Sequence, residues 1–231
     1  MLYLRTRGAN FGAAGYDVVV NTPLGKLGVR TELGFQFRAP WSGVRNATVA
    51  PFTCPQPTQN NGAWAEDCLY ASVYVPLSFE RDRRAKRDVV VFWHGGAFRG
   101  GGQLNFIGDR LANRTPTPSW CLRTGWASSA CWATPRSRPS RTIGNYNLMD
   151  QRQALLWVRD NIRALVGDPR SVTITGQSAG AISVAIHTVS PASDGLYHRA
   201  TSQSGVGNSA KLLEPVSWIT DTMQKVVDAL G

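Results

Sequence analysis

Gly176-Gln177-Ser178-Ala179-Gly180 is the stretch on which the fold turns, because of what stands on either side of it. Residues 172–175 read as a short strand, and residues 179–189 as an apolar helix. A serine at such a strand-to-helix corner has the context that the nucleophile-elbow motif demands. Small residues two before and two after Ser178 let the main chain turn sharply. The hydroxyl then stands clear of the sheet at a helix N-terminus. A Gly-x-Ser-x-Gly string by itself is equally a plain Gly/Ser turn; the strand before it and the helix after it favour a catalytic serine.

A nucleophilic serine needs donors for the oxyanion of its tetrahedral intermediate, usually backbone NH groups. Residues 88–93 form a continuous apolar run without alternation, the pattern of a strand buried on both faces of a parallel sheet. That strand leads into His94-Gly95-Gly96-Ala97-Phe98, the start of a glycine-rich loop over 94–102. Glycines let the main chain come close to a substrate oxygen, and Ala97 has the largest side chain that still does so cheaply. The expected oxyanion donors are the NH groups of Gly96, Ala97 and Ala179, each worth roughly a hundredfold in rate. Alone, this loop is equally a glycine-rich turn after a strand. Two such motifs in the right order carry more weight than either.

Outward from these motifs, residues 17–20 and 69–75 read as early strands, the second alternating and ended by Pro76. Residues 150–165 read as the clearest helix, with Leu155, Val158, Ile162 and Leu165 on one face and Gly167 with Pro169 as stop signals. A further strand is expected near 198–203 and a helix over 212–230. Strands alternating with helices indicate an α/β sheet.

Composition removes several functional classes. The charge of +10 invites a nucleic-acid reading, yet 21 of the 25 basic residues are Arg, and five of these lie between Arg114 and Arg141 with no acidic residue among them. The excess is local, and no recognition helix, RNA-binding aromatic motif or zinc-ligand spacing accompanies it, so nucleic acid is not expected as a partner. No apolar run approaches the roughly 18 to 20 residues of a membrane-spanning helix. The first fifteen or so residues hold no continuous apolar core of the kind a secretory signal requires. Of the four cysteines, Cys54 and Cys68 flank a polar loop. A bridge there would contribute roughly 3 kcal/mol, and two reduced thiols are the alternative. Cys121 and Cys131 lie in the Arg-rich stretch and carry no functional weight.

Taken together, these residues resemble the type-B carboxylesterases, which include the cholinesterases and bacterial para-nitrobenzyl-type esterases. The matching text runs from Glu66-Asp67-Cys68-Leu69-Tyr70 through Val73-Tyr74-Val75-Pro76 to His94-Gly95-Gly96-Ala97-Phe98. It continues with Gly144-Asn145-Tyr146-Asn147-Leu148-Met149-Asp150-Gln151, Trp157-Val158, Asn161-Ile162 and Gly167-Asp168-Pro169. The elbow follows, then Ser190-Pro191 and Ser202-Gln203-Ser204-Gly205. The resemblance covers about three quarters of the chain. It implies an α/β-hydrolase fold, hydrolysis of small-molecule carboxylic esters through an acyl-serine intermediate at Ser178, no metal or organic cofactor, and a disulfide between Cys54 and Cys68. Secretion is plausible from the family and that cysteine pair, although location is otherwise open. Asn46-Ala47-Thr48 is then a weak glycosylation candidate. Gln177 stands where many relatives have Glu, which argues against a cationic choline ester; a merely local hydrogen-bonding role for Gln177 is the alternative.

Three departures qualify the resemblance. The family order is Ser, then an acid, then His, both far downstream of the elbow, yet only 53 residues follow Ser178. His94, His187 and His198 match no catalytic position, and His187 reads as a packing or surface residue. Residues 1–231 are therefore expected to be a single incomplete domain, inactive or nearly so alone. Second, Thr31-Glu32 runs almost directly into Phe35-Gln36-Phe37-Arg38-Ala39-Pro40, as if a piece were deleted. Third, residues 113–142 contain no Val, Ile, Phe or Tyr and only one Leu, so no central strand is expected there. Reading the codons of residues 123–133 from the third base permits Tyr-Arg-Leu-Gly-Val-Phe-Gly-Leu-Leu-Gly, close to the family text. A frameshift opening near residues 115–119 and closing before Gly144 is expected; a basic surface insertion is the alternative. The competing functions are a non-catalytic cholinesterase-like interaction module, which would typically have lost the serine, and a defective gene product.

Overall fold

The computed structural model describes residues 16–22, 25–31, 53, 54, 56, 71–74, 86–102, 108, 111, 120–124 and 145–205. The expected helix over 212–230, Cys68 and most of residues 113–142 lie outside them. Seven strands form one sheet: β1 Tyr16–Thr22, β2 Gly25–Thr31, β3 Ala71–Tyr74, β4 Arg87–Trp93, β5 Trp120–Thr124, β6 Gly167–Gln177 and β7 Arg199–Gln203. Their spatial order is β2-β1-β3-β5-β4-β6-β7. β1 and β2 make an antiparallel hairpin and β3 runs antiparallel to β5, whereas β5, β4, β6 and β7 are mutually parallel. This is the mostly parallel sheet with flanking helices of an α/β-hydrolase.

β4 and β6 supply the core because their apolar residues fall in register. Val89 pairs with Val172, Val91 with Ile174 and Trp93 with Gly176. In a pleated sheet these alternate positions share one face. All five side chains on it are fully buried. Two helices pack on them: α1, Tyr146–Asn161, and α2, Ala179–Thr188. Leu155, Val158 and Ile162 of the expected apolar stripe are each 0% exposed and Leu165 3%, so that reading of the periodicity holds. On the other face of β4, Phe92 is buried but Val90 only half so.

Several boundaries differ from expectation. α1 begins at Tyr146, not 150, because Asn145 adopts a left-handed conformation (φ 61°) and its carbonyl accepts from the amides of Leu148 and Met149 at 3.1 Å each. Asn is among the few residues that enter this region readily. The helix ends as a single 3-10 turn, Ile162–Leu165, stopped by left-handed Val166. Gly167 and Pro169 belong to the start of β6, which is longer than the expected 172–175. The register there jumps from Arg87 opposite Gly167 to Val89 opposite Val172, so Pro169 sits in the irregularity, where a missing amide does least damage to the ladder. β2 was not anticipated; its glycines and charges hide a strand that pairs along its length with β1.

The expectation that residues 113–142 contain no central strand is corrected. Trp120–Thr124 forms β5, paired on one side with Val89 to Trp93 and on the other with Ala71 to Tyr74. Composition averaged over thirty residues conceals a five-residue segment that includes the strand formers Trp120 and Thr124, and two flanking ladders of main-chain bonds hold it. No helix among the described residues is long and apolar enough to cross a membrane.

Candidate active site

The register that builds the core also builds the site. Since Trp93 pairs with Gly176 in parallel strands, the residues following β4 and those following β6 leave the sheet at the same end, side by side. Carboxyl ends of parallel strands are where such sheets bind ligands. Ser178, half-buried, stands at the corner between β6 and α2 with φ 55° and ψ −120°, a strained conformation for a residue with a side chain. Two hydrogen bonds hold it there: its amide donates to the carbonyl of Gln203 in β7 at 2.9 Å, and its carbonyl accepts from the amide of Ile182 at 3.0 Å. The next turn lies directly on the end of β4. A Cβ on Gly180 would come within 2.1 Å of the Trp93 carbonyl oxygen, so only glycine fits.

The loop after β4 meets the elbow. A Cβ on Gly95 would be 3.0 Å from the Cβ of Ser178 and 2.7 Å from Oε1 of Gln177. Gly96, Ala97 and Phe98 all have positive φ (128°, 53° and 57°), winding a left-handed turn closed by the amides of Arg99 and Gly100 on the Gly96 carbonyl at 2.9 and 3.1 Å. Gln56 clamps the far end of the loop, its Oε1 accepting from the Gly101 amide at 2.7 Å and its Nε2 donating to the Gly101 carbonyl at 3.1 Å. Gln56 Nε2 also reaches the carbonyl of Cys54, which is 4% exposed. Ser178, Gly96, Ala97 and Ala179 are thus brought together. The amides of Gly96 and Ala97 have no hydrogen-bond partner among the described residues, and that of Ala179 opens α2, where first-turn amides lack intrahelical acceptors.

The three histidines are engaged elsewhere. Nδ1 of His94 lies 2.7 Å from the Gly95 carbonyl, and Nδ1 of His198 accepts from the Val172 amide at 3.2 Å. His187, 2% exposed, contacts Ser193 and Gln151. Burial lowers its pKa to about 4 and raises that of Asp150, at 6% exposure, to about 8. His187 is therefore a packing residue, one of the two structural alternatives read from sequence. It belongs with Gln151 and Ser183 to a buried polar set that sequence reasoning passed over. The signal was present: Ala179, Ser183 and His187 recur every four residues on one stripe of α2. Among the described residues no group of three or more His, Cys, Asp or Glu is placed to hold a metal ion.

The carboxylesterase family profile matches residues 35–231. The chain belongs to the carboxylesterase family. It is 37% identical to carboxylesterase 1F of Mus musculus over 72% of this chain and 32% of that protein. It is 37% identical to acetylcholinesterase of Gallus gallus over 80% of this chain and 25% of that one. Bile salt-activated lipase of Homo sapiens is 34% identical over 97% of this chain and 33% of its own length. The chain thus spans about a third of the length of the curated carboxylesterase relatives it matches.

Proposed function

We propose that this chain carries the nucleophile and oxyanion-binding part of a carboxylic ester hydrolase that works through an acyl-serine intermediate. Ser178 Oγ adds to the ester carbonyl, and the amides of Gly96, Ala97 and Ala179 receive the oxyanion. Collapse of the tetrahedral adduct expels the alcohol and leaves the acyl group on Ser178; water then releases the acid. The α2 N-terminus adds its positive dipole end to the developing negative charge. The substrate is a small-molecule ester, and Gln177, uncharged beside the nucleophile, suits a neutral one better than a choline ester. No cofactor enters these steps. Among the described residues no histidine bonds to Ser178, so none of the three is placed to take the proton of the hydroxyl. Turnover by this polypeptide is accordingly low, on the order of 10⁴ to 10⁶ below that of a complete triad, while a reactive ester or fluorophosphonate still modifies the presented hydroxyl slowly and stoichiometrically.

Two supporting elements belong to the same proposal. A Cys54–Cys68 bridge would anchor the segment from which Gln56 clamps the oxyanion loop. Residues 113–142 are a misread stretch, and independent transcript reads with an uninterrupted frame would remove that part.

The observation that carries the reading is the strained Ser178 packed against Gly95. A para-nitrophenyl ester tests it. The expected result is a slow burst of nitrophenol approaching one equivalent per chain, with an acyl group on the protein, absent in Ser178→Ala. A burst of the same size in that variant rejects the assignment; a folded chain with no burst supports a non-catalytic scaffold instead.

A further inference from the structure

Three polar side chains that ester cleavage leaves unused lie between α1 and α2: Gln151, Ser183 and His187, exposed by 1%, 0% and 2%. Their hydrogen bonds have a direction. Ser183 Oγ has one proton and donates it to the Ala179 carbonyl at 3.2 Å. It is therefore the acceptor for Gln151 Nε2, also at 3.2 Å. That orientation turns Gln151 Oε1 toward His187 Nε2 at 3.1 Å, so this nitrogen carries the ring proton. His187 Nδ1 is then the acceptor for the Ser193 hydroxyl at 2.8 Å. The chain runs Ser193 to His187 to Gln151 to Ser183 to Ala179, each link with one donor and one acceptor.

Where it ends gives it meaning. Ala179 follows Ser178, and its amide is the oxyanion donor contributed by α2. The His187 ring also stacks on Trp93, with centroids 4.7 Å apart and planes at 26°, and the Trp93 carbonyl is the surface on which Gly180 rests. The same residue set thus touches both strand ends that form the site. A buried network in which every link has its donor and its acceptor specifies one arrangement.

We propose that Gln151, Ser183 and His187 are positioning residues, a directional hydrogen-bonded strut that holds the first turn of α2 so that Ser178 and the Ala179 amide keep their place beside the loop after β4. Its geometry stands independently, while its use in catalysis rests on the ester-hydrolase reading. Burial keeps His187 neutral at ordinary pH, which preserves the direction of the chain.

The test uses the full chain labelled with ¹⁵N. The ring nitrogens of His187 should report the Nε2–H tautomer at neutral pH. Ser183→Ala and Gln151→Met should shift the Ala179 amide resonance. Both should slow phosphonylation of Ser178 by a fluorophosphonate roughly tenfold, the equivalent of about one net hydrogen bond, in the limiting rate and not in the half-saturating concentration. An Nδ1–H tautomer in the unmodified protein overturns the proposal. So does an unmoved Ala179 resonance with an unchanged rate in cooperatively folded variants. If the unmodified chain shows the tautomer and the Ala179 shift but no phosphonylation, the strut stands and the ester-hydrolase reading falls. Should either variant fail to fold, the tautomer decides alone.

Discussion

β4 and β5 are neighbours in one sheet, paired residue for residue from Val89 opposite Trp120 to Trp93 opposite Thr124, yet one announces itself in sequence and the other does not. β4 is Arg-Asp-Val-Val-Val-Phe-Trp, apolar wherever the sheet needs it, and Val89, Val91 and Trp93 are completely buried. β5 is Trp-Cys-Leu-Arg-Thr, with Arg123 at the register position of buried Phe92. The difference separates two ways of holding a strand. β4 is marked by its own apolar run as well as by its two ladders; β5 is marked by its pairing with strands distant in sequence. The proposed site sits on the first kind: the loop proposed to hold the oxyanion leaves β4, the turn that carries Ser178 leaves its partner β6, and their mutual register brings the two together.

This contrast can be broken or sharpened by substitution. The largest effect is expected at the contact between β4 and the elbow helix: Gly180→Ala puts a methyl against the Trp93 carbonyl and should cost about 3 to 5 kcal/mol or prevent folding, read by chemical denaturation. Next comes a matched pair in register. Phe92→Ala should cost about 3 kcal/mol, whereas Arg123→Ala at the paired position, which deletes no apolar side chain, should cost under about 1 kcal/mol. Equal losses would erase the distinction between the strands.

A pH effect of intermediate size follows from the two helices that cover the Val91 face of the sheet. His187 has its folded pKa depressed to about 4 from 6.5, so its contribution is complete above pH 6.5 and is lost as pH falls toward 4. Asp150 has its pKa raised to about 8 from 3.8, so its contribution is present at low pH and is lost as pH rises through about 8. Between 6.5 and 8 only Asp150 acts. Thermal stability should therefore decline with pH across that window, and Asp150→Asn should flatten the decline. The smallest effect is a gain: Arg123→Val, giving β5 a residue suited to the position opposite Phe92, should stabilise by about 0.5 kcal/mol.

How far the molecule could be read from sequence follows the same division. The elbow, the loop at His94 to Phe98, β4 and the buried stripe of α1 were legible because local pattern and tertiary environment agree at those positions. β2 and β5 were not, since glycines, an arginine and a run of prolines and serines nearby give no hydrophobic period, and their pairing is dictated by strands distant in sequence. The helical segment ends at Leu165 as read, but the extension of β6 back to Gly167 and Pro169 was not legible, because a register irregularity, invisible in one chain's text, admits them to a strand. The strut of Gln151, Ser183 and His187 was overlooked because a polar residue on an apolar helix face declares itself only when its partners on another helix are known.

Peptide mapping after exposure to a fluorophosphonate tests the central claim most directly, because it asks which hydroxyl the fold presents. The account predicts a single adduct on Ser178, absent in Ser178→Ala, with Ser183 and Ser202 unmodified in the folded chain. An adduct spread over several serines, or one that persists at the same level without Ser178, would contradict it.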